Sequence, residues 1–497
     1  MKKTVKALQV VFLLLFFIAC KKASNSNEII VQPTHAVKSD SIPESIYRIR
    51  NFISEETNGF AVDASGSLVQ QTVWSPENTA QRWHIIAVES KVYKLINVNS
   101  NKALEAAKST NTSGAQLQLN TDNGSDLQRW KFVKVHNNVY KLVNKATGLY
   151  VGINGVNIVQ KTLSNGNAPE DQFVLHNLYF KNPIVEGGFA DPYVVYKDGY
   201  YYAMTTSGNN IRIRKTKYMS LLNQSENRII WTPATGTTYT SNIWAPELHY
   251  LDGKWYIYFA ASGAGVGQRM HVLESTSQDP SARSWIYKGK ISDISDQWAI
   301  DGTVLKHNGK NFFIWSGWES EATKLKQHLY IASMSNPWTI SGERTKISSP
   351  TNVWEKYEGS ANGDFVGATG VNEAPIILKK DAESTVYLIF SVSRYNSDNY
   401  SLATMNLIHG GDPVNAAHWV NKKRVFTSAN GVYGPGHNSF FTSGSEHWIF
   451  YHARNTANTP NGSRTARIQK ISWDANGAPI FGTPVSTSSQ LEIPAGE

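Results

Sequence analysis

An all-β chain made of two sets of repeats is what the 497-residue sequence predicts, and two observations carry that prediction. Between Phe189 and Ala453 a hairpin-sized unit recurs five times. Each copy runs from a polar-containing opening into a strand of alternating β-branched and aromatic residues, then a turn and a second aromatic strand. Between Ile46 and Leu178 a shorter unit returns three times, at a period of about 45 residues, and ends each time on Trp or Phe. No unit of either set can bury its faces alone, so the copies must pack on one another. The longer set predicts radial repetition, a five-bladed β-propeller; the shorter predicts a threefold β-structure with its Trp or Phe at the centre.

The long copies follow in order. FADPYVVYKDGYYYAM (Phe189 to Met204) turns at Lys197-Asp198-Gly199, and IWAPELHYLDGKWYIYFAA (Ile243 to Ala261) again at Asp-Gly. IDGTVLKHNGKNFFIWSG (Ile300 to Gly317) turns at Asn-Gly, NEAPIILKKDAESTVYLIFS (Asn372 to Ser391) through a longer loop, and GPGHNSFFTSGSEHWIFYHA (Gly434 to Ala453) closes the series. Asp-Gly and Asn-Gly pairs suit tight hairpins because they tolerate positive φ. In a propeller the first strand of each blade lines the channel, so the opening residues Asp191, Trp244, Asp301, Glu373 and His437 are expected to converge. Three of them are acids, which is the equipment of glycoside cleavage. One acid protonates the departing oxygen, an opposing carboxylate activates water or attacks the sugar carbon, and a third raises and orients the proton donor. The competing reading makes Asp191, Asp301 and Glu373 turn or capping acids near strand ends.

The ordered motifs ADPY, WAPE, IDGT, NEAP and GHNSF resemble those of the family 43 glycoside hydrolases, over residues 179 to 484. Among its members the α-L-arabinofuranosidases and exo-arabinanases are nearest, and they share a final segment like RTARIQKISWDANGAPIFGTP. The Arg-Asp-Pro and Glu-Cys pairs of five-bladed relatives acting on fructosides do not stand where this chain has IDGT and NEAP. The resemblance implies that Asp191 is the general base, Glu373 the general acid and Asp301 the residue that tunes Glu373. It also implies inversion, with acid and base about 6.5 to 9.5 Å apart. Trp244 is read either as a platform stacking on a sugar ring or as a core residue beside Pro246, and Glu247 as a structural acid. For His437 the resemblance implies a place at the channel floor and a share, largely through water, in holding a structural calcium; the alternative is a satisfied polar residue. No cofactor is expected for the chemistry itself. Arg464 and Arg467 lie in the last blade, where one can reach substrate hydroxyls or pair on the blade surface; Arg467 is assigned as the substrate contact.

The shorter set opens at YRIRN, YKLIN and YKLVN and closes at QRW, QRW and DQF, ending on Trp83, Trp130 and Phe173. This pattern resembles the ricin-type β-trefoil lectins, which are family 13 carbohydrate-binding modules. It implies sugar contacts from an acid early in each repeat: Asp63 keeps it, Glu105 matches it less well, and the third copy has Gly152. At most two sugar pockets are therefore expected, and a trefoil worn down to a spacer is the alternative.

Residues 1–20 combine a basic head (Lys2, Lys3, Lys6) with an apolar run too short to span a bilayer. They read as an export signal. FIAC ends on the only cysteine and resembles a bacterial lipobox, although Phe17 stands where Leu is more usual. Acylation of Cys20 implies an anchor in the outer membrane, on a face the sequence leaves open. A plain secretory signal is the alternative. Residues 21–45 read as a polar linker, 46–178 as the trefoil and 179–490 as the propeller. The formal charge of +9 is scattered, with no basic helix or recognition motif, so nucleic acid is not an expected partner. Plant cell-wall polysaccharide is: arabinan, arabinoxylan or pectic side chains, whose acidic backbone a diffuse positive field would favour. The sequence therefore predicts an exported α-L-arabinofuranosidase, with a β-xylosidase of the same fold or a non-catalytic surface glycan-binding protein as alternatives.

Overall fold

The computed structural model describes residues 41–53, 60–107, 112–136, 138–162, 168–324, 326–356 and 369–497. The expected signal segment, Cys20 and most of the linker lie outside them. Among the described residues no helix is long and apolar enough to cross a membrane.

The N-terminal region is one twelve-stranded sheet. Six of its strands, Ser45–Asn51, Arg82–Glu89, Val92–Asn97, Trp130–His136, Val139–Asn144 and Phe173–Asn177, pair in a closed antiparallel circuit. Three hairpins cap this barrel: Phe60–Asp63 with Gln70–Val73, Ala103–Glu105 with Gln118–Asn120, and Tyr150–Asn154 with Asn157–Lys161. The register repeats threefold, since Trp83 faces Asn97, Trp130 faces Asn144, and Phe173 faces Asn51. All three aromatics are buried at the centre. The indole N–H groups are satisfied in the same way, Trp83 donating to the Val62 carbonyl at 2.9 Å and Trp130 to the Leu104 carbonyl at 3.0 Å. Phe173 needs no acceptor, and so the third copy does without one. Ile42 also packs in this core and its N–H donates to Tyr93 Oη at 2.8 Å, so the trefoil begins inside what reads as linker.

The C-terminal region is a succession of four-stranded antiparallel meanders. Three are separate sheets, and two more merge into one larger sheet through a short parallel contact between residues 326–327 and 370–371. Their first strands are Tyr193–Lys197, Ser241–Leu251, Ala299–His307, Gly370–Leu378 and Tyr433–Ser443; each touches the next, and the last touches the first. Packing closes the same ring. A buried apolar cluster fills each junction: Met204 with Leu248, Tyr258 with Phe313, Ile314 with Phe390, Ile389 with Ile449, and Phe450 with Val194. Such propeller-like closure lets every sheet bury both faces and removes long free edges. The hairpin turns take the backbone their sequences call for: Asp198-Gly199, Asp252-Gly253 and Asn308-Gly309 all have both residues at positive φ. The ring is tied where the chain enters it, because Ile184 donates to the Ala466 carbonyl at 2.8 Å and Tyr179–Phe180 pairs with Leu491–Glu492. Residues beyond 490 therefore belong to this tie, and the Glu497 carboxylate caps the Met219 and Ser220 amides.

Candidate active site

Four of the five first strands break their ladder near the axis. The pairing register shifts between Trp244 and Glu247, Ile300 and Thr303, Glu373 and Ile376, and Gly436 and Ser439. Just after the first residue of each break stands a non-glycine at positive φ: Ala245 (43°), Asp301 (55°), Ala374 (51°) and His437 (43°); Asp191 (54°) is their counterpart in the first blade. This left-handed backbone costs a side-chain-bearing residue on the order of 1 kcal/mol or more and clusters where function over-determines it. The amides so exposed are met by side chains. Asp191 N–H donates to His452 Nδ1 (3.0 Å), Ala245 N–H to Thr206 Oγ1 (2.8 Å), Ala374 N–H to Asp301 Oδ2 (3.0 Å) and His437 N–H to Ser391 Oγ (2.7 Å).

All five expected opening residues, Asp191, Trp244, Asp301, Glu373 and His437, line one cavity of about 300 Å³ on the axis. They are not equivalent points of the repeat, however. Asp191, Asp301 and His437 occupy the positive-φ position, whereas Trp244 and Glu373 stand one residue earlier and leave Ala245 and Ala374 in it. Thr206, Trp298, Ile300, Gln327, Tyr395 and Arg464 complete the wall.

Asp191 and Glu373 are held in opposite states. Burial alone would raise both carboxyls. At Asp191 it is outweighed by Arg464, whose Nη1 lies 2.8 Å from Oδ1, by the His437 and His452 rings, and by the Thr206 hydroxyl, which donates to Oδ2 at 2.5 Å. Asp191 is thus kept far below the usual carboxylate range. His437 Nδ1 and His452 Nδ1 stand 3.2 and 3.5 Å from Oδ1. Burial lowers both imidazoles, and His452 Nδ1 already accepts the Asp191 amide, so Arg464 is the cation that pairs with Asp191. At Glu373 burial wins. With Asp191 adding repulsion against relief from Tyr400 and Arg464, the carboxyl is pushed up to about 7. Asp301 is driven up as well, first by burial and then by Glu373 and Asp191. Two neighbouring buried carboxyls cannot both ionise at low cost, so Asp301 and Glu373 hold a proton between them at neutral pH.

Two assignments from the sequence need correction. Arg467 is fully buried in its blade, where it donates to Thr465 Oγ1 at 3.2 Å and to Asn455; the arginine at the cavity is Arg464. Asp63, expected to meet sugar, has both oxygens committed inside the trefoil, to the Ser65 amide (2.7 Å) and hydroxyl (2.5 Å), Thr72 (2.7 Å) and Asn78 (2.9 Å). Glu105 is likewise held by Gln118, Asn120 and Gln128. In the third copy Lys161 and Asp171 fill the space against Gly152, where a Cβ would lie 2.5 Å from Lys161 Cδ. The donors near His437 do not fit a calcium bound directly by protein. Calcium takes six to eight oxygens, the one carboxylate in reach is already paired with Arg464, and no group of three His, Cys, Asp or Glu among the described residues can hold a metal. An ion there would have to be held mainly through water. Thr206, Tyr400 and His452 were not singled out by the sequence: Thr206 follows the second strand of its blade and Tyr400 precedes the third, both beyond the recurring motif, and His452 lies on the second strand of the last copy, away from the opening residues.

Comparison with known proteins covers the region that holds this cavity. The family model for glycosyl hydrolases family 43 matches residues 180–479. The chain belongs to that family. A second model, ricin-type β-trefoil lectin domain-like, matches residues 41–120 and 79–163. Among curated relatives, an extracellular exo-α-(1→5)-L-arabinofuranosidase of Streptomyces avermitilis is 37% identical over 62% of this chain and 64% of its own length. α-L-Arabinofuranosidase 43 of Humicola insolens is 32% identical over 60% of this chain and 62% of its own. The chain therefore spans somewhat less than two thirds of either relative. Among solved structures, an α-L-arabinofuranosidase from Lactobacillus brevis superposes with a TM-score of 0.56 at 31% identity, covering 62% of this chain and 98% of that one. A thermostable family 43 glycoside hydrolase (TM-score 0.52, 21% identity, 63% of this chain and 98% of that one) shares the fold.

Proposed function

We propose that this family 43 member hydrolyses terminal α-L-arabinofuranosyl residues from arabinan or arabinoxylan with inversion. The observation that carries the reading is the split between two buried carboxyls of one cavity: Asp191 held ionised by Arg464 and Thr206, Glu373 held protonable near neutral pH. Asp191 takes a proton from water as that water attacks the anomeric carbon. Glu373 gives its proton to the glycosidic oxygen as the C–O bond breaks, and Asp301, sharing a proton with it, keeps Glu373 from ionising early. Trp244 and Trp298 offer indole faces to the furanose, and Trp298 is itself backed by Trp318, stacked at 4.6 Å and 8°. The names of the Streptomyces and Humicola relatives support arabinofuranose as the sugar.

Export follows as part of the same proposal, supported by the basic and apolar leader and by the extracellular Streptomyces relative. Acylation at Cys20 would place the enzyme on the outer membrane, with plant cell-wall polysaccharide as its substrate. The trefoil, its acids satisfied internally, would serve as a spacer rather than a sugar-binding module.

Product analysis on linear and branched arabinan with anomeric detection tests the reading. Release of arabinose as the inverted anomer is expected, and retention, or a strong preference for aryl xyloside over aryl arabinofuranoside, would overturn it. Glu373→Ala is expected to spare a substrate whose leaving group needs no proton while losing about 10²- to 10⁴-fold on one that does. Equal losses on both would remove Glu373 from the role of acid.

A further inference from the structure

Against Glu373 lies a buried titratable side chain that the proposed reaction does not consume. Tyr400 Oη stands 2.7 Å from Glu373 Oε1, and the phenol ring stacks on His452 with centroids 5.7 Å apart and planes 9° from parallel. The direction of this hydrogen bond is set from behind. His437 N–H donates to Ser391 Oγ at 2.7 Å. With that lone pair engaged, the Ser391 proton is free for the phenol oxygen within its reach, and the phenol proton is left for Glu373. Room for the ring comes from Gly436, where a Cβ would fall 2.3 Å from Tyr400 Cε1. A short polar chain thus runs from the strained His437 backbone to the acid.

We propose that Tyr400 is a positioning residue for the general acid: by donating to Oε1 of Glu373 it fixes the carboxyl and leaves Oε2 as the oxygen that carries and delivers the proton. The inference rests on the reading of Glu373 as acid and adds to it which oxygen acts. In the step, the Oε2–H bond breaks and the proton goes to the glycosidic oxygen, which also takes the electron pair of the breaking C–O bond. Glu373 is left as a carboxylate, and the phenol hydrogen bond strengthens as that charge appears. Tyr400 therefore favours the state after proton transfer over the one before. Among the described residues, the charged and titratable groups that act on Glu373 are Asp301, Asp191, Arg464 and Tyr400 itself, and the Tyr400 phenol is the donor that sits on Oε1.

Tyr400→Phe tests this, with pH profiles of kcat/KM on aryl arabinofuranosides of poor and good leaving group. Loss of a donor that favours ionised Glu373 is expected to move the basic limb to higher pH by about one pH unit. Turnover of the poor leaving group should fall about tenfold, with the good one nearly unchanged. Gly436→Ala, which crowds the ring but keeps the hydroxyl, is expected to reproduce the pattern, and an unchanged melting curve for Tyr400→Phe confirms that the fold survives. Equal losses on both substrates with the limb unmoved would make Tyr400 a packing residue and overturn the proposal. If the wild type hydrolyses no pentoside, the functional reading fails first. Infrared titration of the carboxylic-acid band in wild type, Tyr400→Phe and Glu373→Gln then decides the positioning role, and it is lost if Tyr400→Phe leaves the Glu373 titration where it was.

Discussion

Both halves of this molecule repeat a β-unit and set an acid near the same point of several copies, yet the acids meet opposite fates. In the trefoil, Asp63 collects four short hydrogen bonds from its own copy, and burial is outweighed by the Ser65 and Thr72 donors, so its carboxyl is held low and saturated. In the propeller, Asp191, Asp301 and Glu373 come from different blades and meet one another across a cavity. Their donors are fewer than their lone pairs, and they shift one another's protonation. Local repetition satisfies an acid. Radial convergence leaves it with unspent capacity, which is what a reacting group needs.

The largest expected effect sets these two aspartates side by side. Asp191→Asn keeps the shape but cannot take a proton from water, and kcat/KM on an aryl arabinofuranoside should fall by about 10²- to 10⁴-fold. Asp63→Asn should leave that rate unchanged. A comparable drop from both would break the contrast, since it would tie the trefoil to chemistry.

Next come two tryptophans. Trp83 is wholly buried at the trefoil centre, so Trp83→Ala should cost about 3–5 kcal/mol and lower the first thermal transition while kcat on a small substrate persists below it. Trp244 lines the cavity and is only partly buried, so Trp244→Ala should raise KM with a much smaller change in melting. Calorimetry and steady-state kinetics on the pair would sharpen the division between repeats that hold and repeats that bind.

Much of this division is legible in the chain, and the misses have physical causes. Turn pairs such as Asp198-Gly199 and the aromatic strands around them mark the blades because hairpin geometry is local. The three acids stand out because the motifs around them recur. The one-residue offset of Trp244 and Glu373 was also present: aligning Pro192, Pro246 and Pro375 in ADPY, WAPE and NEAP sets Asp191 against Ala245 and Ala374. Alternation alone hides it, because a bulge adds a residue without changing the composition of the strand. Arg467 misled for a related reason. It pairs opposite Tyr451 within the sheet and points into the blade, whereas Arg464 stands just ahead of that strand, at the cavity end. Thr206 and Tyr400 could not be read at all: each stands in the same blade as its acid but 15 and 27 residues further along the chain, beyond the motif, and nothing in its own neighbourhood marks the partner.

Thr206 gives the smallest effect. Its hydroxyl accepts the Ala245 amide and donates to Asp191, so one side chain satisfies a strained backbone and favours an ionised base. Thr206→Val keeps the volume and removes both bonds. The Asp191 carboxyl should then rise, though Arg464 still holds it below the ordinary range. Because the base works only when ionised, activity is lost as pH falls through its pKa, and a higher pKa brings that loss on sooner. The acidic limb should therefore move up by about one pH unit with the basic limb in place. Loss of the Tyr400 hydroxyl should move the basic limb and spare the acidic one. A Thr206→Val profile that shifted both limbs together would mean that Asp191 and Glu373 titrate as one unit, and the contrast between a held base and a poised acid would have to be redrawn as a single shared proton across the cavity.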